Sequence, residues 1–418
     1  MQHIMILGGG ASGLTAAIAA SRAGARVTLL ERGERVGKKI LSTGNGRCNL
    51  TNTHLCAEAY HGGEALVRAV LAAVPLPGVL SFFSSLGLMT RTEDEGRVYP
   101  RSGQASAVLD VLRRGVGRYG VEVLTGLKAV ALTPSRKGGY TVTTEDGRFF
   151  SVDRVICACG GKAAPGLGTD GSAYALLEPL GHSTTPLYPA LTQLRCRHRA
   201  LRSLKGIRAE VSASLVADGV LAACEAGECL FTDYGLSGYP IFQLSGLAAR
   251  LFSEGRDVRV RLCLLPELPA EARALFLGAR LDAWGVDPVS TLFTGVLHRR
   301  LAEAVIADAG LSPGTPCDGL DEPARLSLLR SLFALEFPVC GLQGFESAQV
   351  TAGGVPCGEV DPLTLQSCFA PGLYITGETL DVDGRCGGYN LHFAWATGLI
   401  AGRAAAQPEI VPNPSSPI

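Results

Sequence analysis

A glycine-rich turn near the start of the chain constrains the fold more than any other feature. The turn, residues 8–13 (GGGASG), follows the apolar run Ile4 to Leu7 and precedes an alanine-rich stretch that Gly24 ends in the position of a helix C-cap. A second apolar run, Val27 to Leu30, follows and ends in Glu31. The order of strand, turn, helix and strand predicts a βαβ unit.

The glycines of this turn match the G-x-G-x-x-G fingerprint of dinucleotide-binding folds. Gly8 permits the tight turn, Gly10 lets the backbone approach a pyrophosphate, and Gly13 allows the helix to pack against the strand. The helix N-terminus then presents free N–H groups and the positive end of its dipole to the phosphates. Glu31, 18 residues after Gly13, can accept hydrogen bonds from both ribose hydroxyls, which favours FAD or NAD over NADP.

A second match to the same spacing, at Gly166, Gly168 and Gly171, has a weaker context. It begins eight residues after Ala158, where a predicted strand ends, and no following strand supplies an acid for a ribose. We interpret this match as a loop. The chain therefore shows no separate nicotinamide-binding domain.

The hydrophobic pattern of the rest of the chain indicates further strands, then an inserted region, and finally a return of the dinucleotide-binding pattern. Strands are predicted at 121–124, 128–132, 140–144, 149–152, 155–158, 209–216, 259–264 and 373–376. Asp146-Gly147 indicates a hairpin, and residues 269–332 are helical in pattern. A last helix is predicted from about Leu391 to Ala405.

Composition restricts the classes of partner. The 38 basic and 38 acidic residues leave no net charge to attract nucleic acid or an anionic membrane. No long uncharged apolar span and no basic n-region occur, so we expect neither a transmembrane segment nor a signal peptide. Thirteen cysteines without a C-x-x-C pair indicate free thiols and a cytoplasmic location. The seven histidines lack metal-binding spacing, so no metal is expected.

The stretch from Gly37 to Asn52 strongly resembles the signature of a bacterial flavoprotein family described as YhiN-like, BaiN-like or aminoacetone-oxidase-like. The match continues at 231–238, 350–355, 377–384 and 387–390, in the right order along nearly the whole chain. The resemblance implies an α/β fold: a Rossmann-type, glutathione-reductase-like FAD-binding domain (1–190 and 345–418) with two insertions. These are a β-barrel (191–265 and 333–344) and a small helical subdomain (266–332).

The same resemblance implies roles for residues along the chain. Glu31 and Arg32 would face the adenosine, Val130 the adenine, and Lys39 with the loop 42–49 the rest of the cofactor. Gly377-Glu378 resembles a second FAD fingerprint, in which the acid binds the ribityl chain. The residues expected to bind FAD are Gly8, Gly10, Ala11, Ser12, Gly13, Glu31, Arg32, Lys39, Ser42, Gly44, Asn45, Arg47, Cys48, Asn49, Val130, Gly160, Gly377, Glu378, Gly387, Gly388, Asn390 and Leu391.

The last block of the resemblance, residues 387–390, suggests how the chain would contact the flavin ring. Gly387 and Gly388 would bring the backbone close to the flavin, and Asn390 would cap the final helix. The positive end of that helix would then point at flavin N1 and the C2 carbonyl, where reduction places negative charge.

Few protein groups stand out as chemically reactive. Cys48 lacks the nearby cysteine that a flavin–disulfide mechanism requires, and we expect it to line the flavin pocket instead. Cys157 and Cys159 are expected to pack in the core. Arg47 and Arg385 could hold a carboxylate substrate or steady a flavin anion, or lie on the surface. The tetrapeptide 235–238 (GLSG) is not a nucleophile elbow and is interpreted as a turn.

The leading functional hypothesis is an FAD-dependent oxidoreductase that takes hydride from NAD(P)H and reduces an organic substrate. NAD(P)H would bind transiently, because no domain is dedicated to it. One alternative is an oxidase that passes electrons from a small amine to oxygen. Another is a flavin-containing binding protein acting on RNA, which the neutral net charge disfavours. We expect a small-molecule substrate and non-covalent FAD, and no catalytic acid or base can be named.

Overall fold

The computed structural model describes residues 1–408, so the last ten residues of the predicted segment 345–418 lie outside the described residues. The chain forms two compact units. The first comprises Met1–Leu187 with Val350–Ile418, and the second comprises Tyr188–Gln349.

A five-stranded parallel sheet forms the centre of the first unit. Its strands are β1 (His3–Leu7), β2 (Arg26–Glu31), β7 (Glu122–Thr125), β11 (Arg154–Cys157) and β20 (Leu373–Ile375), in the order β20-β11-β1-β2-β7. The inner strands are short apolar runs, and β1 and β11 are almost fully buried. Such runs are typical of parallel strands covered on both faces.

The first unit also contains helices, of which the first and the last pack on the strands of this sheet. The helices are α1 (Ala11–Arg22), α2 (Lys38–Ser42), α3 (Glu64–Ala73), α4 (Leu76–Ser85), α5 (Ala105–Arg118), α6 (Ser172–Leu177) and α12 (Tyr389–Ala406). Within residues 1–408, no single helix is long and apolar enough to span a bilayer; α3 and α4, joined at a 49° bend, reach that length and composition only as a pair.

Helices α1 and α12 pack unusually closely and run parallel. A Cβ atom added at Gly398 would overlap Thr15 Oγ1 and Ser12 O, and one at Gly402 would overlap Ala16 O. Position 398 therefore lies beside the first turn of α1, and 402 lies one turn further along both helices. Since Tyr389 begins α12 nine residues before Gly398, the N-terminus of α12 extends roughly 10 Å beyond that of α1 at 1.5 Å per residue.

Smaller sheets complete the first unit. The predicted hairpin at Asp146-Gly147 joins β9 (Tyr140–Thr144) to β10 (Phe149–Val152), and β8 (Ala129–Pro134) pairs with β9. A second antiparallel sheet contains β3 (Thr51–Asn52), β5 (Thr90–Thr92) and β6 (Arg97–Pro100). The short strands β4 (Tyr60–His61) and β21 (Asp383–Gly384) pair, and β19 spans Val350–Ala352.

The second unit contains a closed six-stranded barrel and a group of helices. Its strands are β12 (Tyr188–Ala190), outside the barrel, and β13 (Leu194–Cys196), β14 (Arg208–Ala217), β15 (Val220–Phe231), β16 (Gly235–Gly238), β17 (Val258–Cys263) and β18 (Leu335–Leu342). Its helices are α7 (Leu201–Leu204), α8 (Tyr239–Ser253), α9 (Ala270–Trp284), α10 (Arg299–Asp308) and α11 (Glu322–Phe333).

The interpretation of Gly235–Gly238 as a turn was wrong. The segment is strand β16, which pairs with β15 on one side and with β13 on the other. Gly235 and Gly238 serve this position because side chains there would overlap the backbone of the neighbouring strands. The glycines that suggested a turn in the sequence thus allow close strand approach in the barrel.

Candidate dinucleotide-binding site

The glycine turn between β1 and α1 has the geometry that its spacing predicts. Gly8 has φ +101°, and a Cβ there would clash with Ala158 O; a Cβ at Gly13 would overlap Gly8 O. Gly10, by contrast, is the N-cap of α1, has no side-chain cap, and a Cβ there would meet nothing within 4 Å. The N-terminus of α1, with Ala11 and Ser12 in its first turn, therefore faces open space at the carboxyl edge of the sheet.

Glu31 lies at the end of β2 in a fixed orientation. Gly9 N donates to its Oε2 at 2.8 Å and Gly33 N donates to its Oε1 at 2.7 Å. Both bonds hold the carboxylate beside the glycine turn, where a ribose hydroxyl can reach its remaining lone pairs. The neighbouring Arg32 forms an ion pair with Asp170.

Lys39 and Glu378, 339 residues apart in sequence, form an ion pair of 2.9 Å. Glu378 Oε1 also accepts hydrogen bonds from Thr351 N at 3.0 Å and from Thr351 Oγ1 at 2.8 Å. A Cβ at Gly377 would lie 3.0 Å from Ser12 Oγ, so the second fingerprint adjoins the first turn of α1. Thr351 was not among the residues expected to bind FAD, although it lies inside the resemblance block 350–355.

The carboxyl ends of four strands thus meet at one edge of the sheet. Gly8–Gly13 follows β1, Glu31 ends β2, Gly160 follows β11, and Gly377-Glu378 follows β20. In open parallel sheets, ligands bind outside the carboxyl ends of the strands, where the strand order changes direction.

The loop after α2 has a constrained backbone. Gly44, Asn45, Gly46 and Cys48 all have positive φ, and Cys48 N donates to Thr43 O at 2.9 Å. Ser42 is exposed, and its hydroxyl donates to Lys39 O at 2.8 Å. These conformations fold the loop back on itself after the five residues of α2.

Two side chains of this loop have restricted chemistry. Cys48 is fully buried, and burial raises the pKa of its thiol to about 12. Arg47 pairs with Glu93 and stacks on the ring of Tyr99, with 4.1 Å between guanidinium carbon and ring centroid. Arg47 is therefore held by a carboxylate that it shares with Arg91, and the thiol of Cys48 is protonated at neutral pH.

The expectation that Asn390 caps the final helix was wrong. The N-cap of α12 is Gly388, with φ +99° and no side-chain cap. Asn390 instead accepts from Gly384 N and donates to Gly384 O, both at 2.7 Å, which fixes β21 beside the first turn of the helix. Leu391 lies in that first turn and is half-buried. No side chain caps α12, so no capping group covers the positive end of its dipole.

Gly387 and Gly388 lie against the segment from Asn49 to Asn52. Asn52 Nδ2 donates to Gly387 O at 2.9 Å, and a Cβ at Gly388 would lie 2.6 Å from Thr51 O and 2.9 Å from Asn49 Oδ1. Asn49 Oδ1 is one of two buried side-chain atoms within residues 1–408 that lack a hydrogen-bond partner, the other being the hydroxyl of Tyr174. A buried acceptor beside an uncapped helix N-terminus is a place where a ligand N–H can be satisfied.

The predicted adenine contact, Val130, lies on β8 and is 47% exposed. Near the start of the same strand is a cavity of about 430 Å³ lined by Arg32, Lys128 and Asp170 together with residues 126–127 and 145–146. Val130 itself is not among the residues that line it. This cavity adjoins Arg32 and hence the ribose end of the site.

The residues at this edge fit an extended dinucleotide such as FAD. Two uncapped helix N-termini, those of α1 and α12, are offset by roughly 10 Å along parallel axes. The first suits a pyrophosphate, and the second suits a carbonyl edge at the other end of the molecule. Glu31 and Glu378 offer carboxylates to the two sugar-like parts, which are rich in hydroxyl groups.

Among the residues that the structure describes, other clusters of reactive side chains give no competing site. His182 lies between Glu359 Oε2 and Ser367 Oγ, each at 2.8 Å, a Ser-His-Glu arrangement. However, His182 and Ser367 are buried, and Ser367 Oγ accepts from two backbone N–H groups, so the cluster ties loops together.

Cys157 is buried at the end of β11, as expected, whereas Cys159 lies beyond the strand and is only half-buried. No group of three or more potential metal ligands occurs in residues 1–408.

The fold and site define a flavin-type dinucleotide-binding protein with an inserted barrel. A family model described as "HI0933-like protein Rossmann domain" matches residues 2–404, and the chain belongs to this family. This confirms the family expected from the sequence and the Rossmann-type FAD-binding fold. The chain is accordingly an FAD-dependent oxidoreductase.

Relatives extend over almost the whole chain. A 3-dehydro-bile acid Δ(4,6)-reductase of Clostridium scindens is 43% identical over 410 residues, covering 97% of this chain and 100% of the relative. A ribosomal RNA dihydrouridine synthase of Escherichia coli is 27% identical over 399 residues, covering 94% and 95%. Among solved structures, the 3-ketosteroid Δ1-dehydrogenase of Sterolibacterium denitrificans is 12% identical with a TM-score of 0.53, covering 97% of this chain and all of that one, which shows a shared fold.

Proposed function

We propose that the chain reduces a carbon–carbon double bond conjugated to a carbonyl group in a small organic molecule. Electrons would pass from NAD(P)H through non-covalently bound FAD. The observation that carries the proposal is the 43% identity, over 97% of the chain, to a relative named as a bile acid Δ(4,6)-reductase.

The names of two relatives share one chemistry. A 3-dehydro bile acid with double bonds at positions 4 and 6 has C=C conjugated with its 3-oxo group. Dihydrouridine is uridine in which the C=C next to a ring carbonyl is reduced. In both cases the carbonyl withdraws electron density, so hydride adds to the far carbon and negative charge develops on the carbonyl oxygen. An activated alkene is therefore the substrate class that the relatives support in common.

FAD would supply the two-electron transfer itself. The residues of this chain would bind and orient it: the N-terminus of α1 the pyrophosphate, Glu31 the ribose, and Glu378 with Lys39 the ribityl chain. The N-terminus of α12 would stabilise the negative charge of the reduced flavin through its dipole. No histidine or cysteine stands in a recognisable flavinylation context, which supports non-covalent attachment.

The proposal is tested by anaerobic titration of the purified holoenzyme with NADH and NADPH while the flavin absorption band is followed. We expect the band to bleach, and to return when a 3-oxo-4-ene steroid is added, with one saturated product formed per flavin. The matched control is the corresponding saturated 3-oxo steroid, which has no C=C to reduce and should leave the flavin reduced. A flavin that the unsaturated ketones cannot reoxidise would refute the proposal.

The oxidase alternative predicts a different result in the same anaerobic titration. A small amine, but not NAD(P)H, would bleach the band, and oxygen would restore it with formation of hydrogen peroxide. A purely binding protein would show neither reduction.

Ribosomal RNA is a second substrate candidate because of the relatives at 27% and 26% identity. In the second unit, Arg197, Arg199 and Arg202 are exposed on one short stretch, which suits a phosphate backbone; Lys205, also exposed there, pairs with Asp233. Reoxidation of the reduced flavin by a uridine-containing RNA fragment, but not by the steroid, would favour this candidate.

A further inference from the structure

The second glycine motif of the sequence, Gly166 to Gly171, lies in a segment that the dinucleotide fingerprint does not use. We call residues 161–171 the strap; it connects the loop after β11 to α6. Gly171 N donates to Gly161 O at 2.9 Å, which brings the two ends of the strap together. Thr351 Oγ1 accepts from Lys162 N at 2.7 Å and from Ala163 N at 2.9 Å, which anchors its beginning.

Lysine and arginine side chains that follow other strands of the same sheet bind the middle and the end of the strap. Lys38 Nζ donates to Gly166 O at 2.8 Å, and Lys39 Nζ donates to Ala163 O at 3.3 Å. Arg32 pairs with Asp170 near the end of the strap, and Lys128 Nζ lies 3.7 Å from Asp170 Oδ2. Each of these cations follows β2 or β7 in the chain.

The sheet order fixes what the strap crosses. It begins after β11 and reaches residues that follow β2 and β7, while β1 lies between β11 and β2. The strap therefore passes over the carboxyl end of β1, where the glycine turn and the N-terminus of α1 lie, toward Glu31 and Arg32. This is the path from the pyrophosphate to the adenosine ribose.

Asp170, next to Gly171 at the end of the strap, ties this end to Arg32. Burial alone would raise its pKa, but hydrogen bonds from Ser172 and Arg32 outweigh this and hold the pKa well below its usual range. About a third of its side chain is exposed, as is about a quarter of that of Arg32. Asp170 is therefore ionised at neutral pH, and the pair is partly shielded from water.

We propose that the strap encloses the adenosine half of bound FAD and that Asp170, through Arg32, is the positioning residue that keeps it closed. The inference rests on the proposed FAD site, and it assigns to Asp170 the retention of the cofactor and not its redox chemistry.

The charge of Asp170 taken alone leads to the opposite expectation. The pyrophosphate of FAD is anionic, so removal of the Asp170 charge should by Coulomb's law alone slow the release of FAD. If Asp170 acts by closing the strap, Asp170→Asn should accelerate release, because the strap loses its ion pair to Arg32.

The experiment measures FAD release from diluted holoenzyme by the rise of flavin fluorescence. We expect Asp170→Asn to release FAD about tenfold faster than the parent protein, the factor that corresponds to ~1.4 kcal/mol, and Asp170→Glu to stay near the parent rate. The control is Asp153→Asn, the same chemical change at the opposite edge of the sheet, where Asp153 accepts from His3 N. A second readout is trypsin cleavage after Lys162, inside the strap, which should accelerate in holo Asp170→Asn only.

Unchanged or slower FAD release with unchanged cleavage in Asp170→Asn would overturn the strap and leave the proposed function intact. Equal acceleration in Asp153→Asn would also overturn it, since the effect would then be general destabilisation. A parent protein that binds no FAD would overturn both the strap and the proposed function. The reduction potential of the bound flavin should be the same in all variants, because the strap acts on the adenosine half.

Discussion

Cys48 illustrates how burial decides the chemistry of a single residue. Its thiol is enclosed within the loop after α2, and a pKa of about 12 leaves about a thousandfold less thiolate at pH 8 than an ordinary thiol has. The thiolate is the reactive form of cysteine. The residue therefore contributes shape and not nucleophilicity.

Alkylation measures this directly. With iodoacetamide at pH 8, we expect the exposed residues Cys56, Cys224 and Cys368 to be labelled rapidly in the folded protein, and Cys48 only after urea is added. Peptide mass spectrometry at several times resolves the four sites. Labelling of Cys48 at the rate of the exposed cysteines would show that the loop opens readily.

His392, on α12, makes the stability of the first unit depend on pH. Its ring is fully buried between Thr51 Oγ1 at 2.8 Å and Val74 O at 3.1 Å, and burial lowers its pKa to about 4. The unfolded state, with an ordinary pKa near 6.5, binds the proton more readily than the folded state. The contribution of His392 to stability is therefore complete above about pH 6.5 and falls as the pH drops toward 4.

The size of this loss of stability follows from the lowered pKa of His392. Between pH 7.5 and 4.5, this histidine should cost about 2 to 3 kcal/mol of unfolding free energy, which urea denaturation at the two pH values measures. His392→Gln removes the titration, so the fall between the two pH values should be smaller by that amount. Equal falls in both proteins would show that His392 is protonated or accessible in the folded state.

At the scale of elements, the contact between α1 and α12 sets the distance between the two helix N-termini. Gly398 permits it, because any Cβ there would overlap Thr15 Oγ1 and Ser12 O. Ser12 and Thr15 both belong to the buried helix α1 and cannot move freely, so the overlap with a Cβ at position 398 cannot be relieved by a small shift.

Gly398→Ala should therefore destabilise the protein by about 2 to 3 kcal/mol. The matched change is Gly117→Ala in α5, where a Cβ would meet nothing within 4 Å and the helix gains about 0.5 to 1 kcal/mol from the better helix former. Thermal unfolding of both variants should thus shift in opposite directions. A neutral Gly398→Ala would mean that the two helices separate without cost.

The sequence was sufficient for elements whose signals are local. The βαβ unit, the hairpin at Asp146-Gly147 and the strand before Gly377 depend on periodicity and turn residues within a few positions. Strand β16 was missed because its four residues begin and end with glycine, as a turn does, and because β13, one of its two partners, lies about forty residues earlier in the chain. A short glycine-flanked segment carries no sign of such a partner.

The candidate site was predictable in its residue types but not in its connections. Glycine spacing indicated Gly10 and Glu31, while the pairing of Lys39 with Glu378 joins residues 339 positions apart. Asn390 was expected at the helix cap because Asn is common there, yet Gly384 offers both a donor and an acceptor to its amide. Tertiary hydrogen bonding decided that residue, and no local pattern encodes it.

For the whole molecule, all residues proposed to bind FAD belong to the first compact unit, Met1–Leu187 with Val350–Ile418. A ligand that binds only the folded state stabilises it by an amount set by the ligand concentration relative to Kd. This stabilisation is largest against local unfolding of the segments that contact the ligand. Removal of FAD should therefore loosen the carboxyl edge of the parallel sheet and leave the core of the barrel unchanged.

Amide hydrogen exchange, compared between the holoenzyme and the protein stripped of FAD, tests this distribution. We expect exchange to rise at least about tenfold in residues 8–13, 161–171 and 377–391 and to remain constant in β14 and β15 of the barrel. Reloading with FAD should restore the original protection, which excludes irreversible damage during stripping. A uniform rise across both units would show that FAD stabilises the chain as one cooperative whole, because the two units would then open together and not separately.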